Sequence, residues 1–240
     1  MMQTKTIDKS NSQHNVQRQI IEAFNFRHAT KVFDPHRKID AGEFNTILET
    51  ARLSPSSFGM EPWQLLIIQT PEKRELFREF AWGANGATNG TAGQLGTASH
   101  FGIFLGHTGT TMTHHSTYLQ KHLKEVKQLP DEIVAFINSA YQKFQEQDFH
   151  ISGDRQINDW SARQAYIALG NMMTAAALMG IDSCPIEGFE VDKTMAVLEE
   201  HFGIDPTRYK PVVMVAFGYR VDEPPHVKTR RKIEDIVSWA

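Results

Sequence analysis

The chain has 240 residues, 40% of them hydrophobic, and a formal net charge of −3 from 25 basic and 28 acidic side chains. This length predicts one compact domain, and the even charge balance argues against nucleic acid or an anionic membrane as a partner. The single cysteine, Cys184, excludes an intrachain disulfide and a cysteine-rich metal site, which favours a reducing, cytoplasmic location. No apolar run approaches membrane-spanning length, and residues 1–15 read as a polar tail without an apolar signal core.

The first quarter of the chain contains two helical patterns. Residues 16–24 place apolar side chains at helical spacing. Asp40, with Glu43 three positions later, resembles a capping box and begins a second helix, which ends near Pro55 because proline disfavours helical geometry in the residue before it. The next predicted elements are a polar loop at 56–59, a strand at 63–69 and a short charged helix from Thr70-Pro71 to about residue 80.

Residues 82–96 contain five glycines and are predicted to form a loop. Their spacing matches neither the dinucleotide-binding fingerprint nor the phosphate-binding loop that ends in Gly-Lys-Ser/Thr. A Rossmann fold is therefore poorly supported. The pattern that follows predicts a strand at 100–106 and two helices at 116–128 and 130–145.

The stretch 157–179 is apolar on nearly every face, which predicts a helix buried on all sides and ended by Gly180. Residues 181–189 then predict a rigid, proline-fixed turn whose glycine can bring backbone N–H groups close to a planar ligand. No linker divides residues 16–240, which we expect to form a single domain. The remaining predicted elements are a helix from about 192 to 202, a central strand at 211–217 buried on both faces, and a C-terminal arm at 221–240. The arm carries a basic cluster and an apolar strip, so we expect it to dock on a partner subunit.

Six motifs occur in order between residues 16 and 235, and together they resemble the FMN-dependent, oxygen-insensitive NAD(P)H nitroreductases, a family that includes dihydropteridine-type reductases. The motifs are Arg27-His28-Ala29-Thr30-Lys31; Ser54-Pro55-Ser56-Ser57 with Glu61-Pro62-Trp63; Ala98-Ser99-His100; Arg163-Gln164-Ala165-Tyr166 through Gly170-Asn171; Pro185-Ile186-Glu187-Gly188-Phe189; and Lys228-Thr229-Arg230. The resemblance implies an α+β fold with a central, mostly antiparallel sheet wrapped by helices. It also implies a homodimer with two interfacial flavin sites, the long apolar helix at the interface and the C-terminal extension docked on the partner.

By this resemblance the basic residues bind the flavin phosphate, a dianion that needs charge-assisted donors. Arg27, Lys228 and Arg230 would contact the phosphate, although a solvated role for these charges is the alternative. His28 and Thr30 would lie near the phosphate and ribityl chain. Ala29 stands where the family commonly has serine, so its backbone N–H alone would serve.

The resemblance also assigns residues to the flavin ring. Lys31 would reach the pyrimidine edge, where a cation stabilises the charge that develops on hydride transfer. Asn89 and Gln94 would contact the flavin edge if the glycine loop holds a short insertion, with Thr91 as the alternative to Asn89. The further cofactor contacts are Pro185, Ile186, the backbone of Glu187 and Gly188 facing flavin N5, Gln164, and Ser56 and Ser57 from the other subunit.

The implied reaction is ping-pong transfer of electrons from NADH or NADPH through flavin N5 to a nitroaromatic, quinone or related conjugated acceptor. No side chain is assigned as a catalytic acid or base, because the cofactor carries the chemistry. Residues 110–149 would cover the acceptor pocket. Two enzymatic alternatives on the same scaffold are a flavin-dependent dehalogenase and a flavin-cleaving synthase, and a third is a non-catalytic flavin-binding protein. No metal site is predicted, since His107, His114 and His115 lack the spacing of a helical zinc pair.

Overall fold

The computed structural model describes residues 9–151 and 153–240, which fold into an α+β structure. The helices and strands are α1 (Lys9–Phe26), α2 (Ala41–Arg52), β1 (Trp63–Ile67), α3 (Pro71–Glu75), α4 (Gly93–Thr97), β2 (His100–His107), α5 (Gly109–Met112), α6 (Thr117–Lys121), α7 (Asp131–Lys143), α8 (Asp154–Leu178), β3 (Asp182–Ile186), α9 (Val191–Phe202) and β4 (Tyr209–Gly218). Short 3₁₀ turns lie at Ser57–Gly59, Ala87–Asn89 and Ile233–Asp235, and π-helical turns at His122–Val126 and Phe144–Asp148.

A four-stranded sheet lies at the centre of the described residues, in the order β1-β2-β4-β3, with antiparallel pairing between all neighbours. Strands β2 and β4 are the inner pair and are buried along most of their length. The predicted central sheet is therefore confirmed. The strand predicted at 211–217 has hydrogen-bonded neighbours on both sides, which explains its continuous apolar composition.

Two apolar clusters cover the two faces of the sheet. On one face α8 and α2 pack against side chains that include Phe104, Val213 and Phe217. On the other face residues before and within α4, together with α9, pack against side chains that include Ile103 and Met214. Packed side chains therefore cover both faces of the sheet. The edges of the sheet are left as the places where loops can form a site.

The outward face of α8 differs from the prediction. Trp160, Leu169 and Met172 are buried, whereas Tyr166, Ile167 and Leu178 are between 38% and 52% exposed. The expectation of a helix buried on all sides is wrong for the single chain, because no other element of the described residues covers this face. The predicted stop is confirmed, since Gly180 has a φ of +71°, a conformation that favours glycine.

The predicted proline-fixed turn at 181–189 is also corrected, because Asp182–Ile186 form strand β3. Pro185 is tolerated there because β3 is an edge strand of the sheet, where a missing N–H need not break a ladder. Only the residues after Ile186 turn away from the sheet. An isolated parallel bridge between Ala29 and Ser183 brings the segment after α1 alongside this strand.

Several boundaries also differ. Helix α1 begins at Lys9, so the predicted polar tail is helical from that residue, while residues 1–8 lie outside the described part. The capping box at Asp40 is confirmed, with both reciprocal hydrogen bonds present. The charged helix ends at Glu75 instead of near residue 80, and the two later helices each continue into a π turn. Within the described residues no helix is long and apolar enough to cross a membrane.

Candidate functional site

The first motif, Arg27 to Lys31, lies beside the edge strand β3. Ala29 forms the backbone bridge to Ser183, and the Thr30 hydroxyl donates to Asp182 Oδ1 at 3.3 Å. Lys31 Nζ lies 3.8 Å from Cys184 Sγ. The motif therefore lies alongside the strand, with one backbone bridge at Ala29 and the side chains of Thr30 and Lys31 reaching strand residues.

A buried ion pair fixes this arrangement. The Asp182 carboxylate, 2% exposed, lies 2.6 Å from Arg220 Nη2 and accepts hydrogen bonds from Arg220 Nε at 2.8 Å and from the Arg220 backbone N–H at 2.9 Å. Arg220 also donates to the carbonyl of Phe26 at 2.8 Å and lies over the Phe26 ring at 4.4 Å. The pair joins the end of α1 to the sheet. Sequence reasoning missed both residues, and the available signal was an acidic residue inside an otherwise apolar stretch.

Cations gather around His28 at this end of the site. Lys228 Nζ donates to the carbonyls of Phe24 and Arg27, while the Arg27 guanidinium makes no hydrogen bond within the described residues. Burial and then the charges of Arg220, Lys228 and Arg27 lower the pKa of His28. Burial, followed by Arg27, Arg230 and Arg220, lowers the pKa of Lys228.

After burial, the neighbouring positive charges are the next causes of both shifts, so a phosphate dianion would be stabilised among these cations. An adjoining pocket of about 430 Å³ is lined by residues 28–32, Arg220 and residues 222–225. Arg230 itself is exposed, and its guanidinium donates to the carbonyl of Thr229 at 2.6 Å. The basic end of the predicted site is therefore assembled in one chain, with Arg230 at its outer side.

A second pocket, of about 270 Å³, lies on the other side of Lys31. Its lining consists of Lys31, Trp82, Gly83, Gly86, Thr88, Asn89 and Gln94. Gln94 Nε2 lies 3.3 Å from Cys184 Sγ, and the Thr91 hydroxyl donates to Asn89 Oδ1 at 2.7 Å. Thus Lys31, Asn89 and Gln94 surround one pocket, while Thr91 supports Asn89 from outside it.

Cys184 is fully buried between Lys31 and Gln94. Burial is the main effect on its thiol and raises the pKa, although Lys31 and Gln94 oppose the shift. A thiol in this setting stays protonated and packs as a small apolar residue with a weak acceptor. Cys184 is therefore a structural residue of the buried core.

The residues that follow β3 present backbone groups. The Tyr166 hydroxyl donates to the Glu187 carboxylate, so this carboxylate is held in place and not freely solvated. Gly188 packs against Gly83, where an added Cβ would lie 2.8 Å from the Gly83 Cα, and its carbonyl accepts from Gly83 N–H at 2.7 Å. The glycine is therefore required by backbone packing against Gly83.

The amide N–H groups of Glu187 and Gly188 make no hydrogen bond within the described residues. Gly188 is buried, and a buried amide without a partner is uncommon because it costs free energy. These two donors fit an acceptor atom of a planar ring. The Ile186 side chain belongs to the apolar core, so Ile186 can offer only its backbone to a ligand, whereas Pro185 is half-buried.

Ser56, Ser57 and Gln164 form a separate group. The Ser57 N–H donates to Gln164 Oε1 at 2.9 Å, and the Ser56 hydroxyl accepts from the Glu61 N–H at 2.9 Å. No hydrogen bond of the described chain joins this group to residues 27–31. Within the described residues there is also no cluster of three or more potential metal ligands.

Comparison with known proteins agrees with this architecture. The family model described as Nitroreductase family matches residues 25–219. The chain is 49% identical over 222 residues to YfkO of Bacillus subtilis, covering 92% of this chain and 97% of the relative, and 47% identical over 221 residues to a Staphylococcus epidermidis protein, covering 92% and 96%. Both relatives are provisionally named NAD(P)H nitroreductases.

Two solved structures resemble the fold over the whole of both chains. One is a provisionally assigned NAD(P)H:FMN oxidoreductase from Staphylococcus epidermidis, with a TM-score of 0.72 and 22% identity. The other is a provisionally assigned nitroreductase in complex with FMN from Exiguobacterium sibiricum, with a TM-score of 0.70 and 24% identity. At these identities the likeness concerns the fold. The family match and the 49% identical relative together show that the chain belongs to the Nitroreductase family.

Proposed function

We propose that this protein is an FMN-dependent oxidoreductase that passes electrons from NADH or NADPH to nitroaromatic, quinone or related conjugated acceptors, as a cytoplasmic homodimer. The names of its relatives as NAD(P)H nitroreductases and the FMN complex of a structural neighbour support this assignment. Bound FMN would supply the redox chemistry, taking a hydride from the nicotinamide and releasing electrons to the acceptor in ping-pong order.

The position of Lys31 is the observation that carries the proposal. Lys31 lines both the pocket beside the cations and the pocket beside Asn89 and Gln94. A ligand with a dianionic phosphate at one end and a planar, hydrogen-bonding ring at the other matches these two pockets in order. Flavin mononucleotide has this construction.

Each group of residues would then have a separate task. Arg27, Lys228 and Arg230 bind the phosphate by charge-assisted hydrogen bonds. Lys31 places a positive charge at the ring edge, where it stabilises negative charge developing during hydride transfer. The free amides of Glu187 and Gly188 donate to the N5 side of the ring and orient it.

The dimer is proposed from surfaces that the single chain leaves exposed. Helix α1 exposes Val16, Ile20, Ile21 and Phe24, and α8 exposes Ile167 and Leu178. In the arm, Trp239 is 95% exposed. Contiguous apolar surface of this kind marks an interface. The second copy would cover these faces and contribute its Ser56 and Ser57 to complete each pocket, which accounts for the separation of these serines from residues 27–31.

The test is anaerobic reduction of the FMN-loaded protein. NADH or NADPH should bleach the bound flavin, and a nitroaromatic or a quinone should then restore its absorbance and turn over repeatedly. A flavin that neither nucleotide bleaches would favour the non-catalytic alternative. Bleaching without turnover of either acceptor would favour the dehalogenase or synthase alternatives.

Lys31→Met supplies a site-specific arm of this test. Loss of a charge-assisted contact of roughly 1.5–3 kcal/mol should slow bleaching about tenfold to a hundredfold. Lys38→Met removes an exposed lysine outside both pockets and serves as the control. Equal bleaching rates in the two variants would contradict the role of Lys31.

A further inference from the structure

The loop that carries Ser56 and Ser57 has an unusual backbone. Phe58 has a φ of +56°, Gly59 of +61° and Glu61 of +48°. Residues other than glycine rarely adopt this left-handed region because Cβ crowds the backbone. Two such residues within four positions require support from the surrounding structure.

One helical segment supplies that support through three side chains. Lys127 Nζ donates to the carbonyl of Phe58 at 2.7 Å, His122 Nε2 lies 3.0 Å from the carbonyl of Gly59, and the Tyr118 hydroxyl donates to the carbonyl of Glu61 at 3.2 Å. We call Tyr118, His122 and Lys127 the loop anchor. Three of the four loop carbonyls from residue 58 to residue 61 thus accept from one continuous segment, residues 117–127, which comprises α6 and the π turn after it.

The π turn after α6 makes this alignment possible. His122 and Lys127 are five residues apart, a separation that would place them about 140° apart around a regular α-helix. The turn His122–Val126 has the wider i to i+5 spacing, and the Lys127 N–H donates to the carbonyl of His122 at 3.0 Å. The extra residue brings both side chains to the loop, in agreement with the frequent occurrence of π turns at functional sites.

Further contacts hold the loop from neighbouring elements. The Phe58 ring meets Tyr141 and Phe144 edge-on, with centroids 5.3 and 5.2 Å apart. A Cβ added at Gly59 would lie 2.4 Å from Lys127 Nζ, so the ammonium is packed directly on the loop. Lys127 makes no ion pair within the described residues, and its side-chain hydrogen bond goes to the loop. The ammonium therefore serves as a donor for the backbone.

We propose that Tyr118, His122 and Lys127 are positioning residues that hold the Ser56–Glu61 loop in its left-handed conformation and thereby fix Ser56 and Ser57 in the flavin site of the partner subunit. This inference rests on the proposed function. The loop anchor lies inside residues 110–149, the segment expected to cover the acceptor. The anchor therefore couples the acceptor side of the site to the flavin side.

The test compares Lys127→Met, which keeps most of the length of the side chain but removes the donor, with Lys124→Met. Lys124 lies in the π turn, three residues before Lys127, is exposed and forms an ion pair with Asp131. It is therefore the same residue type in the same segment, but it makes no hydrogen bond to the loop. Lys127→Met should weaken FMN binding about fivefold and raise the KM for the acceptor, with a smaller change in kcat. Amide hydrogen exchange at residues 57–61 should become faster. Lys127→Arg, which retains a donor, should recover most of the FMN affinity, and Lys124→Met should behave as the wild type.

The outcomes separate the inference from the proposed function. If the wild-type protein takes up no FMN, the proposed function fails. If the wild type binds FMN and Lys127→Met matches it in FMN affinity, acceptor KM and loop exchange, the positioning role is refuted while the function stands. A lower unfolding midpoint with unchanged FMN affinity and KM would also refute it, because a purely structural role gives that result. If Lys127→Met does not fold, Tyr118→Phe, which removes a single oxygen, decides by the same measurements.

Discussion

Replacement of Asp182 by asparagine should destabilise the protein strongly. The Asp182 carboxylate accepts two hydrogen bonds from Arg220 and one from Thr30 and also forms an ion pair with Arg220 Nη2, and the side chains of Asp182 and Arg220 are only 3% and 12% exposed. Asparagine keeps the shape but leaves the Arg220 guanidinium, beside Arg27 and Lys228, with only the exposed Glu223 carboxylate at 3.4 Å as a counter-charge. Breaking a buried pair in this way costs about 3–5 kcal/mol, a large share of the roughly 5–15 kcal/mol that holds a typical protein folded.

Urea unfolding of the cofactor-free protein measures this loss. With a slope of about 2.5 kcal/mol per molar urea, the midpoint should fall by about 1–2 M. Asp222→Asn is the matched control, since Asp222 lines the same pocket but is exposed and has no hydrogen bond or ion pair in the described structure. Its unfolding free energy should stay within about 0.5 kcal/mol of the wild type. If the unfolding free energy of Asp182→Asn lay within about 1 kcal/mol of the wild-type value, with the same slope against urea concentration, the reasoning would be refuted.

Three further predictions concern the cation cluster, the arm and a buried histidine. Arg230→Ala should weaken FMN retention about tenfold to a hundredfold, whereas Arg231→Ala should not, and equal retention after dialysis would contradict a phosphate contact at Arg230. Truncation after Glu223 should lower both dimer stability and FMN content, and an unchanged dimer in sedimentation would exclude a docked arm. Burial, then Arg208 and His122, lower the pKa of His107 from 6.5 to about 4. Because the pKa of His107 is lower in the folded than in the unfolded state, its contribution to the free energy of unfolding is complete above pH 6.5 and is lost as the pH falls toward 4. Between pH 7.5 and pH 5 it should decrease by about 2 kcal/mol. His107→Asn, which keeps a partner for Thr111, should lack this part of the acid sensitivity in urea titrations at the two pH values, and an identical pH dependence would count against it.

The sequence predicted the elements whose causes are local. The capping box of α2, the glycine stop at Gly180 and the apolar strand β4 depend on neighbouring residues and on burial by two flanking strands. The turn at 181–189 was misread because proline usually interrupts regular structure. Pro185 lies in a strand only because that strand is at the sheet edge, which is a property of the topology.

The parts of the site that sequence reasoning missed depend on distant contacts. Arg220 and Asp182 are separated by 38 positions and meet through pairing of β3 with β4. The loop anchor follows from a π turn, which inserts one residue into an otherwise helical pattern and has no local signature in the sequence. The exposed face of α8 was expected to be buried because composition does not distinguish a core helix from one that is covered by a second subunit.

The most direct test of the account is the absorption spectrum of the purified protein, before and after incubation with FMN and dialysis. Two pockets joined by Lys31, with cations at one end and free amides near the other, predict a yellow protein with flavin absorption bands and close to one FMN per chain. A folded protein that is colourless and retains no FMN after incubation would contradict the central claim.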